Sequence, residues 1–460
     1  MGKFIDKYGY AIGKAFPSRA AASNDDYLQA ALRAEFTIAY HQRNSVDGIY
    51  WLNDDTDKVD LSLYRGVAGF SYFYLRLFAA TRDDRYRRIA VESARYLVKH
   101  WRKILDTPAR PGWFSQTGRG LYPGAAGIGF VLLAEYRELG EGFLLEGARD
   151  IASWYVEHVQ GDDDGTLYWN DNPALYLDAG VLLFLIQTQR ITNDATLADV
   201  IRRAGEHLLR AGVRTANGGL DFRVFDGVQP FTEPDFELGA AGTGYVLNRL
   251  YEFTGDTRYL DAAKDVALRL EEVRVPQSKG SAILYRVYDD GTVEREGDHT
   301  VFYLGLCHGP AGTGRFYYEL AKNTGSPAYR EVLVDLIDGL EALGAPERQS
   351  AGFWNTVNYC CGHAGLVHFF IGLYLADHDE RWKDLAVRAG DVLLGSEEIQ
   401  ADGSSDWPLA FNRVDPNDFT RPLGYYDGVA GIAASLLELY LLDRGEYFWP
   451  RFGDDPFPES

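Results

Sequence analysis

Gly124-Ala-Ala-Gly-Ile-Gly-Phe-Val-Leu-Leu133 sets two glycines three residues apart at the head of a run that is apolar on every side. A helix of that composition has no face to offer water and must be buried all round. The same head returns as Gly66-Val-Ala-Gly69, Gly239-Ala-Ala-Gly242, Gly309-Pro-Ala-Gly312, Gly362-His-Ala-Gly365 and Gly428-Val-Ala-Gly431. Leu177-Asp-Ala-Gly180 fills the one gap, with its first glycine lost. Seven copies, spaced by roughly 50 to 70 residues, make this a repeat protein.

Two further signals keep the same beat. Glycine-aromatic turns precede the motifs at Gly48-Ile-Tyr-Trp51, Gly112-Trp113, Gly165 to Trp169, Gly219 to Phe222, Gly280 to Tyr285, Gly352-Phe-Trp354 and Gly403 to Trp407. Helix-start residues follow several motif helices: Asp83, Asp194, Asp256, Ser326 and Asp379, whose side chains suit the orphan amides of a first turn. Beyond Asp256, Tyr259, Ala263, Val266, Ala267 and Leu270 fall on one helical face. Each unit thus pairs an amphipathic helix with an apolar one. The pattern predicts an all-α fold, an α/α toroid of seven helical hairpins with the apolar helices inside, forming a single domain over residues 1–460. The glycines let seven helix starts crowd around one axis, although an open solenoid would also use them. A break in the rhythm, Ala282 to Val287, Asp289-Asp-Gly291 and Thr292 to Arg295, predicts a small β-hairpin insertion.

Composition narrows the function. A net charge of -21 repels phosphate backbones and anionic lipid, so neither nucleic acid nor membrane surface is expected as a partner. The stretch Met1 to Phe16 has no apolar run fit for a signal peptide. Ala179 to Ile186, the longest apolar stretch, falls far short of the roughly 20 residues of a membrane span. A cytoplasmic location is the expectation. Three cysteines in so long a chain make no disulfide framework and point to metal or redox chemistry.

All three stand at glycine motifs. Cys307 lies two residues before Gly309, and Cys360-Cys361 run into Gly362. In a toroid, consecutive copies bring these thiols together at one end of the ring. Three thiolates supply three of the four tetrahedral positions of zinc, and a fourth left open marks a catalytic site. Buried packing residues, or a vicinal disulfide of Cys360 and Cys361, are the other readings of the same pattern.

Cys307-His-Gly309-Pro-Ala-Gly312 and Cys360-Cys-Gly362-His-Ala-Gly365 resemble the two zinc-binding motifs of the lanthionine synthetase C-like cyclases, and the sevenfold glycine pattern resembles their toroid. The second motif of that family usually reads Cys-His-Gly. Here Cys361 takes the histidine's place, similar to the subset that uses three thiolates. The resemblance implies Zn2+ held by Cys307, Cys360 and Cys361, and a dehydrated precursor peptide as substrate. A substrate cysteine would lose its proton at the metal. Its sulfur would then add to a dehydroalanine or dehydrobutyrine, giving lanthionine or methyllanthionine. With no room beyond the seven repeats, a separate dehydratase is expected to make the dehydro residues.

The chain also departs from the family. Leu238 stands where a histidine usually precedes the fourth motif, and Tyr303 where an arginine or lysine usually precedes the first zinc cysteine. His308 fits the family position after that cysteine and is the first candidate for the general acid. Tyr303, Asp178 and His363 are further catalytic candidates, and Asp235, Glu237 and His299 lie near motif starts. Two other classes remain open: a sugar-processing toroid enzyme, which works with paired carboxylates, and a non-catalytic family member that binds a modified peptide or acts as a scaffold. Addition of a small thiol such as glutathione is the intermolecular form of the same chemistry.

Overall fold

The computed structural model describes residues 12–52, 59–107, 117–224, 229–351, 356–410 and 419–460. Its helices alternate around a ring. The inner ones are α2 (Val67–Thr81), α4 (Ala125–Leu139), α6 (Asp178–Thr192), α8 (Ala240–Thr254), α10 (Pro310–Thr324), α12 (His363–Asp377) and α14 (Val429–Asp443). The outer ones are α1 (Asp25–Tyr40), α3 (Asp84–His100), α5 (Gly142–Glu157), α7 (Ala195–Arg210), α9 (Thr257–Glu272), α11 (Pro327–Ala342) and α13 (Glu380–Ser396). Six inner helices pack on the outer helix that follows them, and α14 packs on α1 from the other end of the chain. Because α14 also packs on α2, the ring is shut.

Each motif glycine has a distinct task. The first caps its inner helix with extended backbone, as Gly66 and Gly124 do. The second sits between its own entry loop and the preceding copy: a Cβ on Gly69 would lie 2.6 Å from the Leu63 carbonyl oxygen of that loop and 2.7 Å from the Tyr425 Cβ of the copy before. The equivalent neighbours are Leu63 for Gly127, Leu121 for Gly180, Leu175 for Gly242, Phe236 for Gly312, Leu306 for Gly365 and Tyr359 for Gly431. An open solenoid has no contact between last copy and first, so the Gly69–Tyr425 approach distinguishes the ring.

The caps at Asp83, Asp194, Asp256 and Asp379 accept amide hydrogen bonds from their helices as expected. Ser326 caps by position alone, with no side-chain bond, ahead of Pro327. Five of the glycine-aromatic turns are second strands of short hairpins that lead from an outer helix to the next motif: β1–β2 (Gln42–Ser45, Gly48–Trp51), β3–β4 (Gln160–Gly161, Leu167–Tyr168), β5–β6 (Gly212–Arg214, Leu220–Phe222), β8–β9 (Arg274–Pro276, Ser281–Ile283) and β13–β14 (Glu398–Ile399, Ser405–Asp406). Those at Gly112-Trp113 and Gly352 to Trp354 lie outside the described residues.

The insertion differs in detail from its sequence reading. A turn through Asp289–Gly291 closes a bridge between Val287 and Val293. The flanking strands, however, pair elsewhere: β9 with β8, β10 (Val287–Tyr288) with β7 (Phe231–Thr232), and β11 (Arg295–Glu296) with β12 (His299–Thr300). The turn at Gly280, with φ of 62°, folds β9 back on β8 before the hairpin can extend.

Residues 444–460 fill the barrel. Their tip meets the sixth residue of three inner helices: the Tyr72 hydroxyl donates to Pro450 O (3.0 Å), that of Tyr245 to Gly453 O (2.9 Å), and Arg315 to Asp454 O (3.1 Å). Tyr122, in a motif loop, donates to the Asp454 carboxylate at 2.8 Å. Among the described residues no helix is long and apolar enough to cross a membrane.

Candidate functional site

The loops that enter the inner helices are stitched into a circle by backbone hydrogen bonds. Amides of successive loops donate to the carbonyls of the next: Tyr64 to Tyr122 (3.0 Å), Leu121 to Tyr176 (2.9 Å), Tyr176 to Glu237 (3.0 Å) and Glu237 to Cys307 (3.0 Å). Cys307 then bonds to Cys360 (3.1 Å), Cys360 to Tyr426 (2.8 Å) and Tyr426 back to Tyr64 (3.0 Å). Cys307 and Cys360 are therefore the same position in adjacent copies, which is why residues 53 apart in sequence become neighbours. Glu237 occupies that position one copy earlier.

The three thiols meet. Sγ of Cys307 lies 3.3 Å from that of Cys361, and Cys361 lies 3.5 Å from Cys360; all are buried and reduced. A tetrahedral zinc with Zn–S of about 2.3 Å holds sulfurs ~3.8 Å apart, so an expansion of a few tenths of an ångström fits the trio to a metal. A vicinal disulfide is not formed. Hydrogen bonds from Cys307 and Cys360 bring Cys361 down to about 6, while burial holds Cys307 well above its ordinary value. For Cys360 the hydrogen bond from Cys307 pulls down, but the demand of Cys361 and burial carry it upward. The fourth and first copies add Glu237, whose Oε1 lies 3.6 Å from Cys360 Sγ, and Tyr64, which hydrogen-bonds to Cys360. Burial, then Cys360, keeps the Glu237 carboxyl well above the usual carboxylate range.

Next to the thiols stands a second group: Glu233, Asp235 and His308. His308 Nδ1 contacts Asp235 Oδ2 and lies 3.8 Å from Glu233 Oε2. Burial pulls the imidazole down, but Asp235, then Glu233 and Glu237, push it up to about 9. The insertion supplies the wall. Tyr285 and Tyr303 pack with their rings tilted by 50° at 4.3 Å between centroids, and those rings lie 5.2 and 5.4 Å from His308. Arg286 donates to Glu233 Oε1 at 2.6 Å.

The remaining candidates sit elsewhere. Asp178 opens α6, but its carboxylate accepts from the amides of Trp169, Asn170 and Asn172 and from the Asn170 side chain, a clamp on the loop before it. His363 is fully buried against Phe16 and donates from Nε2 to the Pro346 carbonyl at 2.6 Å; burial lowers it to about 4, so it is neutral. His299 is exposed on β12. Leu238 is buried at the head of α8 and brings no polar group. Glu233, Arg286 and Tyr64 escaped the sequence reading. The alternation Glu233-Pro-Asp235-Phe-Glu237 before a motif was the available signal, since an extended stretch turns every second side chain the same way.

Fold and site together define a class: a helical toroid with a thiolate metal-type site at the head of its inner barrel. The family model described as lanthionine synthetase C-like protein matches residues 57–452, and the chain belongs to that family. Among solved structures, nisin cyclase shares the fold, with a TM-score of 0.60 over 83% of this chain and 89% of its own at 14% identity. A GH76 alpha-mannanase of Bacteroides thetaiotaomicron (0.47, 15% identity, 80% and 99% covered) and cellobiose 2-epimerase of Bacillus thermoamylovorans (0.43, 13%, 74% and 87%) lie further off. Comparison with curated proteins gives no match.

Proposed function

We propose that the protein is a zinc-dependent thioether synthase, closing lanthionine or methyllanthionine rings in a peptide that carries cysteine and dehydroalanine or dehydrobutyrine. The convergence of Cys307, Cys360 and Cys361 at one point of the ring carries this reading. A sugar-processing toroid has no use for such a cluster, and family membership supports peptide thiol chemistry. Cys307, Cys360 and Cys361 would hold the zinc, which would supply the Lewis acidity that lowers the pKa of a substrate thiol.

The chain's own groups do the rest. The substrate thiolate adds to the β-carbon of the dehydro residue, and the π-electron pair moves onto the α-carbon and its carbonyl. His308, beside Cys307 and held by Asp235, gives the α-carbon its proton; positioned general acids contribute about 10²–10⁴-fold. Tyr303 and Tyr285 shield the imidazole from solvent. Asp178 serves by fixing the 169–172 loop, and His363 by docking the head of α12 on the 346 turn.

The test is mass spectrometry of a synthetic peptide bearing one dehydroalanine and one cysteine, incubated with zinc-loaded protein. Cyclisation leaves the mass unchanged and abolishes alkylation of the cysteine. A glutathione adduct formed instead would assign the intermolecular reaction. A peptide that stays alkylatable in the presence of stoichiometric zinc and protein defeats the reading in favour of a binding role.

A further inference from the structure

We propose that Asp235 is a positioning residue that fixes the imidazole of His308 so that the α-carbon is protonated on one face only. The inference rests on the preceding reading of His308 as proton donor, and adds the stereochemical control that reading leaves open.

The segment carrying Asp235 cannot shift relative to His308. Phe236 and Glu237 donate their amides to the Cys307 carbonyl at 3.1 and 3.0 Å, the residue directly before His308. The two Asp235 oxygens have separate partners. Oδ1 accepts from the Leu238 amide at 2.8 Å, which ties it to the start of α8, and Oδ2 meets His308 Nδ1. A carboxylate anchored through one oxygen offers the other at a fixed angle.

The imidazole is hemmed in as well. Glu233 Oε2 lies 3.8 Å from Nδ1, with no hydrogen-bond partner of its own. Glu233 is held through its other oxygen by Arg286, whose guanidinium lies 4.2 Å over Phe231 and 4.4 Å over Tyr285. Tyr285 meets the imidazole edge-on, at an interplanar angle of 82°. Among the described residues Nε2 has no hydrogen-bond partner, and the side chain keeps 13% of its surface open. One ring nitrogen is therefore committed to the protein and the other is presented outward, as in any carboxylate-oriented histidine.

The chemistry makes that fixity visible in the product. Addition forms the S–Cβ bond and places the former π pair on the α-carbon, which is then trigonal with two faces. The Nε2–H bond breaks as the Cα–H bond forms, and the imidazole regains a proton from solvent in place of the one the substrate thiol released. A donor locked in one orientation reaches one face, whereas water reaches both. With Nδ1 unheld, the imidazole turns or yields to water, and both α-epimers form.

The experiment uses zinc-loaded full-length protein and a synthetic peptide with one dehydroalanine three residues before a cysteine. The cyclised product is hydrolysed and its lanthionine diastereomers are separated by chiral gas chromatography. Wild type is expected to give one diastereomer. Asp235→Asn is expected to bind zinc as wild type does, to close rings at least about tenfold more slowly, and to give a mixture, as is His308→Gln. A single unchanged diastereomer from either variant overturns the proposal while leaving the cyclase reading intact. In parallel, ¹⁵N-histidine spectra, with His308 assigned through His308→Gln, are expected to show Nδ1 carrying a hydrogen in the wild type and losing that signature in Asp235→Asn. A bare Nδ1 in the wild type overturns the proposal without any substrate. Wild-type protein that closes no ring defeats the cyclase reading, and the nitrogen spectra still decide whether Asp235 orients His308.

Discussion

Gly69→Ala tests whether the seven copies are held as a closed circle. In an ordinary helix the change stabilises, since alanine exceeds glycine by about 1 kcal/mol in helix propensity. At position 69 the new Cβ would stand 2.6 Å from the Leu63 carbonyl oxygen and 2.7 Å from the Tyr425 Cβ, against an ordinary contact of about 3.5–4.0 Å. Leu63 O belongs to backbone, and Tyr425 Cβ is one bond from it, so neither can swing aside as a side-chain tip would. Relief requires the first and last copies to part by close to 1 Å at Tyr425 and the copy's own entry loop to yield at Leu63, and overpacking of this kind costs about 1–3 kcal/mol, occasionally more. Set against the propensity gain, the net expectation is a loss of up to ~2 kcal/mol, centred on ~1 kcal/mol. At a urea slope of about 3 kcal/mol/M the unfolding midpoint falls by ~0.3 M at that centre and by up to ~0.7 M. Gly142→Ala is the matched control: it opens α5, has no left-handed φ, and a Cβ there meets nothing within 4 Å. That variant is expected to gain about 0.4–1 kcal/mol through the unfolded state. Equal effects of the two substitutions, or a Gly69→Ala midpoint at or above wild type, would refute the reasoning that a close approach between end copies selects glycine.

Other expectations follow from the site and the core. Cys307→Ala should lower zinc, measured by inductively coupled plasma spectrometry after dialysis, from about one ion per chain to a small fraction, because two thiols alone make a weak site; full retention would remove the three-sulfur assignment. Cys361→His should keep zinc yet slow ring closure roughly tenfold, since fewer anionic sulfurs leave the attacking thiolate more tightly held; an equal or faster rate counts against it. Glu135, fully buried and bonded by the Ser71 hydroxyl at 2.5 Å, is raised by burial to about 8. Its folded pKa exceeds the unfolded one, so the fold keeps a proton that the unfolded chain releases. Stability is therefore lost as pH rises from the ordinary glutamate range towards 8, by about 1.4 kcal/mol per pH unit within that window. Glu135→Gln should flatten that part of the urea-midpoint profile; an unchanged slope would show that the carboxyl is not the titrating group.

The ring itself was legible because it repeats. Six glycine pairs and a seventh copy that keeps one glycine, each opening a mostly apolar run, leave little choice but helices buried behind amphipathic partners, and Cys307 and Cys360 gain their proximity from occupying one repeat position. What repetition does not encode stayed hidden. Glu233 and Arg286 come from irregular stretches, and nothing in their local sequence says that β10 would pair with β7 and carry Arg286 to Glu233. Asp178 and His363 share the motif position of a catalytic candidate, yet one clamps a loop and the other turns outward to Pro346, because a side chain at a helix head can aim along or away from the axis. The strand pairing of the insertion was misjudged for a related reason: segments of two or three residues are placed by whichever neighbour offers free amides, not by their own alternation.

The pairing of α1 with α14 bears on how the molecule is made. On a ribosome the first helix emerges with its apolar face uncovered, and the partner it needs is nearly four hundred residues away. Six hairpins can form as they appear, but the circle, and with it the hydrogen-bonded loop from Tyr426 to Tyr64, waits for synthesis to be almost finished. The thiols, two of them also late in the chain, therefore reach their final arrangement only when translation is nearly over, and an interrupted chain would be a sticky open arc rather than a smaller ring.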